Sequence, residues 1–378
     1  MKEGAKNFSY LAISRTSASL FRSAFLIFIA TLMEPNDYGQ LAFIISLAGT
    51  FSVVSRFGLP TTAVIYLSKG NHQLADRISL IAIISTSLAS AVLAFIDVYA
   101  AFLCLASSLY FLHEKIQVGK QKYKKHMIVV FSKTAFTLVL ELVLFFVAGV
   151  PGIIFGMAVG NLIFAFPIFR EISIRSFSIK PIKENYKVIL NNFGVESSQN
   201  LIKFIDKIVI GIWFGFLSLG AYYFNMQILF AIQMLSSSLH SFLLSEISRG
   251  QKHEKFSFII VGLSVIFTVL VIIFSPFVIE SVFPKYLDGV FALQIMITAA
   301  IPYAFSSILT ARLQSMESMT VGYSGVIRIG SIVVLIGLLG TMYGIVGFSI
   351  AVVVSGIIHT MFLYYLYKKH KPIDSKVI

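Results

Sequence analysis

The chain is predicted to be an all-α integral membrane protein, with about twelve transmembrane helices in two parallel six-helix lobes around a central cavity. Three observations predict it. Of 378 residues, 57% are hydrophobic and only 12% charged, a balance typical of bilayer-embedded chains. Long apolar runs recur, each near the roughly 20 residues that cross a hydrocarbon core of about 30 Å. The second half then repeats the first at a separation of 181, which carries Arg15 to Glu196, Arg22 to Lys203, Gly39 to Gly220 and Phe43 to Phe224. The runs are too long for a transmembrane barrel, and the period-two alternation of barrel strands is missing.

In the N-lobe, residues 1–180, spans are expected at 10–33, 41–67, 78–95, 98–113, 127–148 and 151–169. The first begins with basic residues and a long apolar stretch, as a secretory signal does. Arg15 and Arg22 interrupt it and no small-residue cleavage site follows, so it is expected to stay as the first helix. Arg15, Ser19, Arg22 and Ser23 share one of its faces. Span two carries Arg56 beside Gly58 and Pro60, residues that kink a helix. Span four holds Cys104, the single cysteine, which rules out an intramolecular disulfide and a cysteine-based metal site. Span five presents Lys133, Thr137 and Glu141 at steps of four. A basic linker near 170–187, containing Pro181, leads to the C-lobe, residues 181–378.

C-lobe spans are expected at 188–213, 221–245, 256–279, 290–311, 322–342 and 346–367. Span seven reads Asn192, Glu196, Gln199, Asn200, Lys203, Asp206, Lys207. Steps of three and four place all seven on one helical face, opposite Val195, Leu201, Ile202, Ile205 and Ile208. A charge in a membrane helix costs roughly 2.5–3.5 kcal/mol on insertion scales, so it persists mainly against a wet or protein interior. Isolated polar residues there usually act as glue between helices, and pairing within the stripe, Glu196 with Lys203 or Lys203 with Asp206, is the alternative to a cavity lining. After the longer outer loop Glu280–Gly289 the repeat separation becomes 195. It brings Gly149 and Gly152 onto Gly344 and Gly347, and Lys133 onto Arg328 on span eleven, which also carries Ser324 and Ser331. Six spans per repeat is an even number, so both repeats run the same way, as in transporters whose halves are related by an axis along the membrane normal.

The net charge of +13 does not indicate nucleic acid. With an N-terminus in the cytoplasm, twenty-two Lys and Arg outside the spans fall on the cytoplasmic side, the cluster Lys115–Lys125 among them. Lys285 alone falls outside. That is the positive-inside bias, which puts both termini in the cytoplasm and the basic loops against anionic lipid. Within the spans, Arg15, Arg22, Arg56, Lys133, Lys203, Lys207 and Arg328 outnumber Glu141, Glu196 and Asp206. Such an excess favours an anionic cargo, and Arg and Lys are the usual readers of phosphate.

Several stretches carry a family resemblance. Leu32-Met-Glu-Pro-Asn-Asp-Tyr-Gly-Gln-Leu41, Phe57-Gly-Leu-Pro-Thr-Thr-Ala63 with Tyr66-Leu-Ser-Lys69, Asp206-Lys-Ile-Val-Ile-Gly211 with Leu219-Gly-Ala-Tyr222, and Phe283-Pro-Lys-Tyr286 stand in the order and spacing of one superfamily. The chain resembles the multidrug/oligosaccharidyl-lipid/polysaccharide exporter superfamily over nearly its whole length. Met33 and Pro284 depart from glycines usual there. It is most similar to the polysaccharide branch, the O-antigen and lipopolysaccharide repeat-unit flippases of the bacterial inner membrane. The resemblance implies alternating access and an undecaprenyl-diphosphate-linked oligosaccharide cargo moved from the cytoplasmic to the periplasmic leaflet. It also implies the polysaccharide polymerase and chain-length machinery as partners. Arg15, Arg22, Arg56, Lys133, Gln199, Asn200, Lys203 and Arg328 are the expected cargo contacts. Asp206, Glu196 and Glu141 are the candidates for coupling to an H⁺ or Na⁺ gradient.

Other classes fit less well. A lipid II or teichoic-acid precursor flippase is chemically close. A multidrug exporter of the same superfamily would favour cationic drugs and an acidic cavity. A polysaccharide polymerase would be expected to expose a large catalytic outer loop, whereas the longest here is about ten residues, Glu280–Gly289. No Gly-rich Lys-Ser/Thr phosphate loop occurs, and His113, His126, His240 and His359 lack metal-ligand spacing, so neither catalysis nor a bound cofactor is expected.

Overall fold

The computed structural model describes residues 2–172, 180–248, 254–315 and 321–370. Among the described residues all regular structure is helical. Helix α1 spans Lys2–Leu32 and α2 spans Pro35–Arg56, with Pro35 at the first helical position, where its missing N–H is harmless. After Arg56 the chain leaves the right-handed region at Phe57 (φ 50) and Gly58 (φ 68), and α3 restarts as Leu59–Ser68. The kink expected in 41–67 is therefore a complete break. Glycine is required at 58 twice over: by its positive φ, and because a Cβ would sit 2.8 Å from the Asn192 carbonyl carbon.

An asparagine cap and an aspartate cap start the next helices. Asn71 Oδ1 accepts from Leu74 N–H at 3.1 Å to open α4, His72–Leu93. Asp97 Oδ1 accepts from Ala100 N–H at 2.7 Å to open α5, Val98–Gly119. Helix α6 runs Tyr123–Ala165 through a non-helical Gly149, followed by the short α7, Ile168–Glu171. Helix α8, Lys180–Asn200, passes through a 3₁₀ turn, Leu201–Lys203, into α9, Ile205–Ser248. Then come α10, Glu254–Val282, a 3₁₀ segment Pro284–Gly289, α11, Val290–Ile297, α12, Ala300–Ser315, and α13, Val321–His370.

Seven of the described stretches are long and apolar enough to cross a bilayer. Three of them, Tyr123–Arg170, Ile205–Met234 and Ser324–Lys369, each contain one positive-φ glycine: Gly149, Gly215 and Gly344. A straight 48-residue helix such as the first would be about 72 Å long at about 1.5 Å per residue. That is more than twice a hydrocarbon core, so the glycine divides it. The repeat is visible in backbone geometry. Gly149 has φ 62, ψ −135 and Gly344 has φ 55, ψ −130. A Cβ on Gly152 would strike the carbonyl of Leu144, and one on Gly347 the carbonyl of Leu339. Leu144 and Leu339 are themselves 195 apart.

The chain divides into two compact units, residues 1–25 with 40–208 and residues 26–39 with 209–378. In the first, Leu59, Ala63, Leu67, Ile78, Leu112 and Ile116 make a buried core cluster. In the second, Tyr38 is fully buried, its hydroxyl donates to Leu26 O at 3.0 Å, and its ring meets Tyr223 at 5.1 Å. Phe224 stacks on Tyr286 at 4.4 Å. The surface is apolar where the interior is charged: Phe95 is 94% and Phe258 78% exposed, while Arg56, Glu141, Glu196, Asp206 and Lys207 are buried. Such a distribution suits lipid as the outer solvent.

Candidate functional site

The polar side chains of the first unit form ion pairs in its interior. Arg56, the last residue of α2, turns inward because the chain breaks right after it. Its Nε and Nη2 donate to Glu196 Oε1 of α8 at 3.2 and 3.0 Å. Both side chains of this pair are 6% exposed. Arg56 Nη1 donates to Ser52 Oγ at 2.6 Å, Ser52 is linked to Ser108 at 2.7 Å, and the guanidinium lies 4.0 Å from the Phe111 ring centroid. Thr61 Oγ1 donates to Glu196 Oε2 at 3.4 Å. Asn192 Nδ2 donates to Thr62 Oγ1 at 2.9 Å, and Phe193 stacks on Phe57 at 4.6 Å. The inner part of the seventh span is thereby fastened across the break between α2 and α3.

A second pair lies on α1 and α6. Arg22 Nη1 donates to Glu141 Oε2, its Nη2 lies 3.0 Å from Met157 Sδ, and the guanidinium is 5.6 Å from the Phe25 ring. Glu141 is fully buried, and its Oε1 has no hydrogen-bond partner among the described residues. Gly156 makes this possible, since a Cβ there would sit 3.0 Å from the Glu141 backbone. Lys133, half-buried, places Nζ 4.8 Å from the Tyr110 ring centroid, with Arg22, Glu141 and Glu114 in its electrostatic surroundings. The third pair is Lys207 with Asp206, Nζ donating to both carboxylate oxygens at 2.9 Å.

The expected single-faced stripe on span seven is corrected by the 3₁₀ turn. The helical phase stops at Asn200, so the seven polar residues do not continue on one face. Glu196, Asp206 and Lys207 are buried, while Gln199 and Lys203 are exposed. Asn200 Nδ2 donates to the Glu196 carbonyl at 2.9 Å and its Oδ1 accepts from Lys203 Nζ at 3.1 Å, a side chain competing for backbone partners just where the helix ends. Arg328 belongs to the second unit, with its guanidinium 4.3 Å from the Tyr303 ring. Arg15 falls in α1, but its side chain lies outside the described residues.

Ser52, Thr61, Ser108, Phe111, Tyr110 and Met157 were not singled out by sequence. Ser52 alone left a signal, one turn before Arg56 on the same face. The others reach the charges only through helix packing that no spacing encodes. Among the described residues no group of His, Cys, Asp and Glu is placed to hold a metal ion.

The family model described as "Polysaccharide biosynthesis protein" matches residues 5–244, more than half of the chain. No curated protein sequence matches. Solved structures share the fold. The lipid II flippase MurJ, in an inward closed conformation, aligns with TM-score 0.73 and 16% identity over 96% of this chain and 87% of its own. An inward-facing multidrug resistance MATE family transporter of the MOP superfamily aligns with TM-score 0.66 and 16% identity, over 95% of this chain and 100% of its own. A MOP superfamily transporter from Pyrococcus furiosus, described as having a binding pocket of reversed polarity, aligns with TM-score 0.62 and 16% identity over 96% and 95%.

Proposed function

The chain belongs to the polysaccharide biosynthesis protein family, a multi-pass membrane protein with the fold of MATE and MurJ transporters, and from that premise we propose that it flips a polyprenyl-diphosphate-linked oligosaccharide. The cargo is an undecaprenyl-diphosphate-linked repeat unit, carried from the cytoplasmic to the periplasmic leaflet of the inner membrane by alternating access. One observation carries the reading: Arg22 and Arg56 are held inside the apolar chain by carboxylates, Glu141 and Glu196. Guanidiniums so held suit a diphosphate, which matches their fork and carries more charge than one carboxylate.

Binding then proceeds by exchange. The diphosphate takes Arg22 and Arg56 from their partners, with Lys133, Lys203, Gln199, Asn200 and Arg15 contacting the remaining phosphate and sugar oxygens. A buried carboxylate deprived of its cation is stable only with a proton or a bound cation. Glu141 is the coupling carboxylate this favours, because Oε1 has an open position for a proton. Glu196 and Asp206 are the alternatives. Cargo entry thus accompanies H⁺ or Na⁺ uptake, and release of the ion restores the internal pairs. The multi-pass protein would work beside the polymerase and chain-length machinery that consume its product.

Proteoliposomes holding the purified protein and a fluorescent undecaprenyl-diphosphate oligosaccharide test this. The expected result is leaflet exchange that a pH or Na⁺ gradient accelerates and that pyrophosphate-free sugar does not compete. Leaflet exchange equal to that of empty liposomes overturns the reading. In cells lacking the protein, mass spectrometry of the accumulated glycolipid identifies the sugar.

A further inference from the structure

Among the described residues, the second unit contains buried hydrogen-bonding atoms that have no partner. His359 and Ser324, both buried, lie on the two parts of α13 either side of Gly344, with His359 Nε2 3.2 Å from Ser324 Oγ. One turn beyond Ser324, Arg328 lays its guanidinium over Tyr303 of α12 at 4.3 Å and acts electrostatically on His359. The ring of Tyr303 packs close against α13 at Gly356, where a Cβ would sit 3.0 Å from it. Arg328 Nε and His359 Nδ1 are buried, and neither has a hydrogen-bond partner among the described residues. When Ser324 donates to Nε2, Nδ1 carries the ring proton and is a second unanswered donor. Leaving such donors unmet is unfavourable, and an acceptor bound here would satisfy them.

The internal repeat shows what distinguishes this place. Lys133, at the matching position of the first unit, also lies over a tyrosine, at 4.8 Å, but Glu141 and Glu114 share its surroundings. A separation of 195 carries Glu141 to Ile336 and Glu114 to Leu309, so both carboxylates are replaced by aliphatic residues. The same separation carries Val129 to Ser324 and Phe164 to His359, so donors stand where the first half is apolar. Among the described residues no Asp or Glu forms an ion pair with Arg328. One half thus places carboxylates around its lysine, and the other supplies further donors instead.

We propose that Arg328, His359 and Ser324, backed by Tyr303, form a phosphate-type oxyanion site within the second unit. Arg328 offers the fork and His359 the lateral N–H, an arrangement fitted to adjacent oxygens of a phosphate. The inference rests on the proposed function for the source of the phosphate, the cargo's diphosphate, and on the geometry alone for the existence of the site. A phospholipid headgroup offers the same chemistry.

Calorimetric titration of the purified protein in non-ionic detergent with pyrophosphate, in a chloride-free buffer, tests it. The expected result is saturable binding, weaker by about tenfold or more in Arg328→Gln, as loss of a charged hydrogen bond implies. His359→Gln should also weaken it, and Lys285→Gln, which removes one exposed charge, should leave it unchanged. Thermal unfolding followed by circular dichroism reports whether each variant is folded. Should the glutamine variant not fold, Arg328→Lys keeps the charge, loses the fork, and is expected to bind more weakly than the unmodified protein. Displacement by an undecaprenyl-diphosphate sugar, with none by phosphatidylglycerol, supports the site and assigns it to the cargo. Displacement by phosphatidylglycerol supports the site with a bilayer lipid as its ligand. No saturable binding, or equal affinity in folded Arg328 variants, overturns the site whatever the flipping assay shows. Normal pyrophosphate binding in a protein that does not flip cargo removes the flippase reading and leaves the site standing.

Discussion

At the scale of single residues, the charges inside the spans are mostly answered by other charges, and this gives them measurable couplings. Removing one member of a buried pair leaves the other uncompensated, at about 3–5 kcal/mol. Glu196→Gln strands Arg56 between Ser52 and Phe111, so detergent-solubilised protein should unfold at clearly lower temperature. Arg56→Gln should behave alike, and the double variant should recover most of the loss. Flipping by that double variant then separates two roles: near-normal rates make the pair structural, whereas lost transport in a stable protein makes Arg56 a cargo ligand. Arg22 is expected to follow a different rule. Arg22→Ala leaves Glu141 fully buried without its cation and should abolish flipping, while Arg22→Lys keeps the charge and should retain part of it. Surface polysaccharide in cells carrying correctly inserted variants is the readout. Normal levels in Arg22→Ala would remove Arg22 from the cargo set.

At the scale of helices, Gly39 and Gly220 make a reciprocal contact. A Cβ on Gly39 would strike the Phe216 carbonyl, and one on Gly220 the Pro35 carbonyl. Pro35 and Phe216 are again 181 apart, so the first turn of α2 and the turn of α9 just after Gly215 meet through matching positions of the repeat. Gly39→Ala and Gly220→Ala should each force the two backbones apart, at about 1–3 kcal/mol as for other overpacking. Their effects should be less than additive, since one separation accommodates both methyls. Gly262→Ala, in open space on α10, should be neutral by the same thermal assay. These helices were largely legible in the sequence, because apolar length and glycine spacing report on the bilayer and on tight turns. The repeat was legible for the same reason, down to the matched backbone of Gly149 and Gly344. Pairing was less so. Periodicity places Glu196 on the face of Asn192, but it is the left-handed Phe57 and Gly58 that bring Arg56 to meet it. The stripe on span seven failed because periodicity assumes an unbroken helix, and the 3₁₀ turn at Leu201–Lys203 resets the phase. The site of Arg328 and His359 lay across two helix parts that only packing brings together.

At the scale of the whole molecule, the orientation expected in the membrane rests on a charge asymmetry that tertiary structure does not display. On the expected topology, twenty-two of the basic residues outside the spans would fall on one side and Lys285 on the other, and Lys285 is paired with Glu34 at 2.8 Å. An outer surface with its one cation neutralised offers nothing to hold it in the cytoplasm. The inner loops would have to drag several ammonium groups through hydrocarbon to invert. Cysteine labelling reads this directly, because Cys104, the single native thiol, is buried and a new cysteine reports alone. Lys122, beside the start of α6, and Asn36, in the first turn of α2, are both exposed and lie on opposite sides of the expected topology. An impermeant maleimide applied to intact spheroplasts should label Asn36→Cys and spare Lys122→Cys, and permeabilisation should expose the second without changing the first. Labelling of Lys122→Cys but not of Asn36→Cys in sealed cells would invert the topology, and with it the direction in which a cargo phosphate meets Arg22 and Arg56. Equal labelling of both in sealed cells would instead show that the stretch between them crosses the bilayer an even number of times. That would mean one of the segments between Asn36 and Lys122 does not span, and Arg56, at the break between α2 and α3, is where that failure would be sought first.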